Sequence, residues 1–204
     1  MPFHNKSVVR EYAEAIVIAI ILALFIRSFI VQAFKIPSGS MEETLLIGDH
    51  LLVNKFIYGI SLPFIDKKLV DFASPKRGDI IVFRYPEDKD KDFIKRVIGV
   101  GGDKVEVKNK KVFINDEPLG DEPYAVFKAG ESLFGFTKGR NFGPKTVPEN
   151  HVFVMGDNRD NSHDSRFWGT VHTDEIRGKA FILYWSWDSV NNGIRFRRIG
   201  NLIH

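Results

Sequence analysis

Asp92-Phe93-Ile94-Lys95-Arg96-Val97-Ile98 reads as a β-strand, because it is rich in β-branched residues and free of glycine and proline. Side chains alternate across a strand, so Lys95 shares a face with Phe93 and Val97 while Arg96 points the other way. A lysine held between apolar neighbours loses hydration, and its pKa can fall by several units from about 10.4. That makes Lys95 a candidate general base. The competing use is an edge-strand lysine whose head reaches solvent.

Outward from this stretch the chain continues in the same idiom. Segments 51–53, 79–84, 93–100, 104–107, 111–114, 151–155 and 179–185 are short and strand-like, punctuated by Gly, Pro, Asn and Asp. Val105-Glu106-Val107 and Val112-Phe113-Ile114 flank Lys108-Asn109-Lys110-Lys111, as in a hairpin. Residues 117–148 are rich in Gly, Pro and Phe with weak periodicity, which suggests an inserted ribbon rather than a further compact domain. The expected architecture is mainly β behind one helix. The 18 phenylalanines mostly suit alternating strand faces, with Phe134, Phe136, Trp185 and Trp187 as candidates for membrane contact.

That helix comes from residues 15–34. Residues 15–26 are all apolar, but twelve are too few for a hydrocarbon core that needs about 20 helical residues. The span must take in Arg27, whose long side chain can snorkel to the headgroups. A transmembrane helix over 13–34 is expected, with 1–12 as a cytoplasmic tail, since Lys6 and Arg10 precede it and only Lys35 follows closely. A cleavable signal peptide is the alternative, with Val31-Gln32-Ala33 as its small-residue pattern. Within six residues of Phe34 comes Pro37-Ser38-Gly39-Ser40-Met41, and six residues reach at most ~20 Å. Ser40 therefore sits near the bilayer surface. Its own N–H and the Ser38 hydroxyl can point at a developing oxyanion, although a Ser/Gly linker after a membrane helix has the same composition.

A third cluster, Gly156-Asp157-Asn158-Arg159-Asp160-Asn161-Ser162-His163-Asp164-Ser165-Arg166, is dense in hydrogen-bonding groups. A calcium loop is disfavoured by Arg159 at the third ligand position and by the lack of glycine at the sixth. His163 beside Asp164 leaves a Ser-His-Asp triad with Ser40 open. Several classes are excluded. The 29 Lys+Arg against 26 Asp+Glu are scattered, so nucleic acid is not implied, and the absence of cysteine removes disulfides, thiolate nucleophiles and Cys-based zinc sites. No Ser-x-x-Lys, Lys-Thr-Gly, phosphate-binding loop or dinucleotide fingerprint is present.

Together the three clusters resemble bacterial type I signal peptidases, membrane-bound serine proteases that remove signal peptides from exported proteins. The resemblance covers the anchor, Ile36 to Met41 with Thr44-Leu45, Arg77-Gly78-Asp79-Ile80, Ile94-Lys95-Arg96-Val97 with Gly102-Asp103, and the Gly156 cluster, but not 117–148. It implies an antiparallel β-sheet catalytic domain over 35–204 with a reduced insertion at about 104–148, Ser40 as nucleophile and Lys95 as its base. It further implies an oxyanion hydroxyl from Ser38, orientation of the lysine by Ser162, and ionic bracing by Asp164 and Arg166. Ile36, Pro37, Met41, Leu45 and Ile94 are expected to line substrate pockets for small residues. No metal or cofactor is implied; the implied partners are secretory preproteins and membrane lipid. The implied location is the bacterial cytoplasmic membrane, crossed once, with the N-terminus inside and the catalytic domain outside. A membrane-tethered β domain without enzymatic activity is the alternative. Glu43 and Gly101 depart from the family pattern, each standing where a proline is usual.

Overall fold

The hairpin β5 (Ile80–Tyr85) and β6 (Asp88–Val100) forms the middle of the molecule. Ile80 and Val82 pack into one core while Ile81 and Phe83 pack into another, so β5 is buried on both faces. Around this hairpin runs an antiparallel sheet in the order β1 (Val31–Lys35), β2 (Asp49–Asn54), β13 (Ile176–Asp188), β5, β6, β11 (His151–Met155) and β12 (Val171–His172). β14 (Gly193–Ile194) pairs with the end of β13. The computed structural model describes residues 8–61, 68–70, 72–127 and 141–204. Phe134 and Phe136 lie outside the described residues.

A second antiparallel sheet has the order β10 (Phe142–Thr146), β7 (Lys104–Lys108), β8 (Lys111–Ile114) and β9 (Glu117–Pro118). The expected hairpin is β7–β8, closed by Asn109 and Lys110 at φ 49° and 70°, the conformation of a type I′ turn. A third apolar cluster joins the sheets: Ile98, Phe153 and Met155 from the large one pack with Val105, Val107, Val112 and Ile114 from the small one. A small hairpin pairs β3 (Ile60–Ser61) with β4 (Lys68–Val70).

The N-terminal helix differs from expectation at both ends. α1 runs Val8–Phe25, where an Arg10–Glu14 pair at 3.0 Å supports its polar first turns. It stops nine residues short of Phe34, giving way to a wide turn over Ile26–Ile30 and then to β1. The cause is pairing, since Val31 through Lys35 register against Asn54 through His50 at the edge of the large sheet. Such an apolar stretch suits a strand as well as a helix until a partner edge is known. No residue of α1 is buried, and Ile16, Val17, Ile18, Ile20, Ile21, Leu22 and Leu24 are all exposed. Among the described residues no helix is long and apolar enough to cross a membrane.

Candidate active site

Three segments converge on one point. The first is the tight helical turn Gly39–Met41, which buries Met41 beneath the site and presents Ser40. The second is β6, whose alternation aims Lys95 to the same side, its Nζ 5.4 Å from the centre of the Phe93 ring. The third is the loop that follows β11. It begins at Gly156, where a Cβ would lie 2.3 Å from Ser162 Oγ and 2.4 Å from the Ser40 carbonyl oxygen. Only glycine lets these segments approach so closely.

Lys95 Nζ donates to Ser40 Oγ at 2.6 Å and to the Ile94 carbonyl at 3.0 Å. The lysine is 4% exposed and the serine 8%, so the pair is removed from bulk water. Burial pushes the Lys95 pKa down to about 8, against the opposing pull of the Asp164 and Asp157 charges. An amine whose neutral form is accessible near pH 8, within hydrogen-bond reach of a hydroxyl, can take its proton and so generate an oxygen nucleophile.

The surrounding charges are spent on holding this geometry. Arg96, on the opposite face of β6, forms a two-pronged pair with Asp157 at 2.8 Å for each contact, and both side chains are almost fully buried. Asp157 also accepts from the Thr44 hydroxyl at 2.5 Å, which ties the turn that carries Ser40 to the strand that carries Lys95. Asp164 accepts from Arg166 at 2.8 and 2.9 Å and from the Gly156 N–H at 3.0 Å. Burial works to raise the Asp164 pKa, but the Arg166 charge and these hydrogen bonds more than offset it and hold the carboxyl low. Asp164 is thus committed to Arg166, and Ser40 to Lys95. His163 stacks on Phe167 with ring centres 5.5 Å apart.

A groove of about 520 Å³ opens over Ser40 and Lys95, with Pro37, Ser38, Ile94 and His163 on its walls. Ser38 is exposed beside Ser40, and its hydroxyl has no hydrogen bond to a described residue. Ser162 Oγ is buried beside Asp164, whose carboxyl it helps to hold low, and it is not bonded to Lys95. Ile36, Met41 and Leu45, expected in the pocket wall, are buried in the core with Leu51 and Ile80, and Ile94 packs against the same cluster. The apolar wall comes from Ile47, Phe93 and Ile94.

Asn158 and Asn161, both within the polar cluster 156–166, also line the groove. Glu43 adopts φ 77°, a conformation closed to the proline ring, so the departure at this position matches a left-handed turn. Glu43→Pro is expected to lower stability by more than about 1 kcal/mol, read as a drop in thermal midpoint. An unchanged midpoint would show that the turn readily adopts another form. At Gly101, a Cβ would come within 3.1 Å of the Glu149 carboxylate and 3.2 Å of Glu149 Cα, so that loop is tightly packed.

A family model described as signal peptidase, peptidase S26, matches residues 9–185. A signal peptidase I of Pseudomonas fluorescens is 41% identical, with the alignment covering 97% of this chain and 80% of the relative. The Pseudomonas aeruginosa protein of the same name is 39% identical over 98% of this chain and 81% of its own length, and that of Aquifex aeolicus 35% over 87% and 84%. A crystal structure of a signal peptidase I from Enterococcus faecalis shares 32% identity, with a TM-score of 0.42, over 53% of this chain and 98% of the other. The chain belongs to the signal peptidase family, peptidase S26, and is a serine endopeptidase.

Proposed function

We propose that this chain is a membrane-tethered type I signal peptidase that removes N-terminal signal peptides from exported preproteins, with Ser40 as nucleophile and Lys95 as general base. The observation that carries the reading is the 2.6 Å contact between a buried, partner-poor lysine and a serine hydroxyl on the floor of a groove. Lys95, as the neutral amine, takes the Ser40 proton while Oγ attacks the scissile carbonyl. The resulting oxyanion is met by the Ser40 N–H and the Ser38 hydroxyl. Collapse of the tetrahedral intermediate breaks the peptide bond, and the Lys95 ammonium protonates the departing amine. Water, deprotonated by the same lysine, then releases the acyl group from Ser40. Ser162 is assigned the role of orienting Lys95 as the proton moves, and Asp164 with Arg166 that of bracing the loop. Small residues one and three positions before the cut fit a groove whose walls are Ile47, Phe93 and Ile94.

Membrane tethering rests on α1, which exposes apolar side chains around its whole circumference and buries none. Residues 15–26 alone span only about 18 Å of helix, so the tether includes the Ile26–Ile30 turn, with Arg27 near the headgroups. The N-terminus is placed in the cytoplasm and the two sheets outside, where β1 begins directly after the turn. Exposed Trp185 and Trp187 on β13 are assigned to the lipid interface.

The decisive experiment incubates wild type and Ser40→Ala with a model preprotein bearing an Ala-x-Ala site in detergent. Cleavage after the second alanine by wild type alone is expected, and equal cleavage by both proteins would overturn the reading. A triad using His163 would make His163→Ala as inert as Ser40→Ala.

The pH dependence follows from the lysine. With a pKa of about 8, the neutral base rises from roughly a tenth of the enzyme at pH 7 to roughly nine-tenths at pH 9. The rate constant kcat/KM is therefore expected to climb about tenfold over that interval. A profile flat from pH 7 to 9 would remove Lys95 from the role of base.

A further inference from the structure

Asn158 has no part in the mechanism above, yet it is 2% exposed, lines the groove and touches the nucleophile turn twice. Its N–H donates to the Ser40 carbonyl at 3.1 Å, and its Nδ2 donates to the Gly39 carbonyl at 3.1 Å. The Gly39 carbonyl belongs to the same planar peptide as the Ser40 N–H, and in a trans peptide the two point in opposite directions. Whatever fixes that carbonyl fixes the N–H. The Glu42 N–H at 3.1 Å supplies the second bond, so both lone pairs of the Gly39 oxygen are taken.

Asn158 is itself held from behind. Val126 N–H donates to the Asp157 carbonyl at 2.8 Å, and Arg159 N–H donates to the Val126 carbonyl at 2.9 Å, which pins the backbone on both sides of Asn158. The Arg159 guanidinium, 1% exposed, is gripped by both carboxylate oxygens of Glu122. Glu122 and Val126 belong to a strap that leaves the small sheet and crosses the back of the loop.

We propose that Asn158 is a positioning residue that aims the Ser40 N–H at the reaction oxyanion, and that the Glu122–Val126 strap holds Asn158 in register for this task. The proposal rests on the reading of Ser40 as nucleophile. A donor that is merely structural affects folding; one that aims an oxyanion donor affects the chemical step and leaves substrate binding alone.

The test measures kcat, KM and thermal midpoint on a model preprotein for wild type, Ser40→Ala, Asn158→Ala and Asn158→Asp. Asp keeps the shape of Asn but replaces the donor with an acceptor beside the Glu42 carboxylate, 3.4 Å from the present Nδ2. Both Asn158 variants are expected to lose about 10²-fold in kcat with KM held within about threefold, and Asn158→Ala, which adds no charge to the groove, is expected to keep the midpoint of the pH profile. Wild-type kcat in folded Asn158→Asp overturns the proposal, as does a loss shared equally by kcat and KM. Should the Asn158 variants unfold, Glu122→Gln decides, since it loosens the strap without entering the groove: a fall confined to kcat supports the proposal and an unchanged kcat overturns it. Cleavage by Ser40→Ala would instead bring down the nucleophile assignment, a result separable from any behaviour of Asn158.

Discussion

Replacing Ser40 or Lys95 with alanine is expected to lower preprotein cleavage by at least about 10⁴-fold, because in the proposed dyad the two groups act as one unit and either loss removes the activated nucleophile. Lys95→Arg is expected to be equally inert, since a guanidinium stays protonated at every usable pH. Lys95→Met separates catalysis from stability. In the folded protein the lysine pKa is depressed to about 8 from an ordinary value of 10.5, so the native state disfavours the ammonium that the unfolded chain carries. The destabilisation is fully present below pH 8, where both states are protonated, and it is relieved as pH rises from about 8 to 10.5. A shift of that size corresponds to about 3 kcal/mol. Lys95→Met should therefore be inactive yet more stable than wild type at pH 7, with the advantage shrinking toward pH 10.5. Thermal or denaturant unfolding across that range checks the sign. A variant less stable than wild type at pH 7 would show that the lysine sits comfortably charged.

This trade between stability and activity bears on what was readable from sequence. Lys95 could be placed because period-two alternation is robust in a long strand, and β6 runs uninterrupted from Asp88 to Val100. The seven strands expected beyond Lys35 all exist for the same reason. β1 was misread because an apolar run beside a helix carries no mark of the sheet edge that will capture it, and its partners in β2 lie some twenty residues downstream. Ile36, Met41 and Leu45 pack into the core together with Ile94, a direction that short turns set with no periodicity to betray it. Ile47 and Asn158 were missed because their roles depend on contacts across the chain; Asn158 lies 119 residues from the carbonyl it holds. The strap around Glu122 falls where no motif resemblance reached. Family resemblance joined Ser40 and Lys95, which local pattern alone left as a serine in a linker and a lysine on a strand, and the fold places their side chains 2.6 Å apart.

The buried pair of Arg96 and Asp157 shows how much rests on such long-range contacts. Arg96 also donates to the Gly78 carbonyl and to the main-chain oxygen of His204 at 3.0 Å each and lies 3.8 Å over the Tyr124 ring. Arg96→Ala leaves the Asp157 carboxylate buried and unpaired, and a loss of about 3–5 kcal/mol in unfolding free energy is expected. Asp157→Ala strands the cation and should cost a similar amount, while also releasing the Thr44 hydroxyl. The double replacement Arg96→Met with Asp157→Leu removes both charges and fills part of the space, so it should recover much of that loss. A double-mutant cycle by denaturant unfolding measures the coupling. Strict additivity would mean that the two charges do not depend on one another in the folded protein. Asp157→Asn gives an independent readout at the site. The Asp157 charge raises the Lys95 pKa, so neutralising it should shift the rise of kcat/KM with pH to lower pH. A midpoint that moves upward would mean that release of Thr44 and the nucleophile turn outweighs the lost charge. The first outcome identifies Asp157 as a structural clamp whose charge also sets how readily the base gives up its proton.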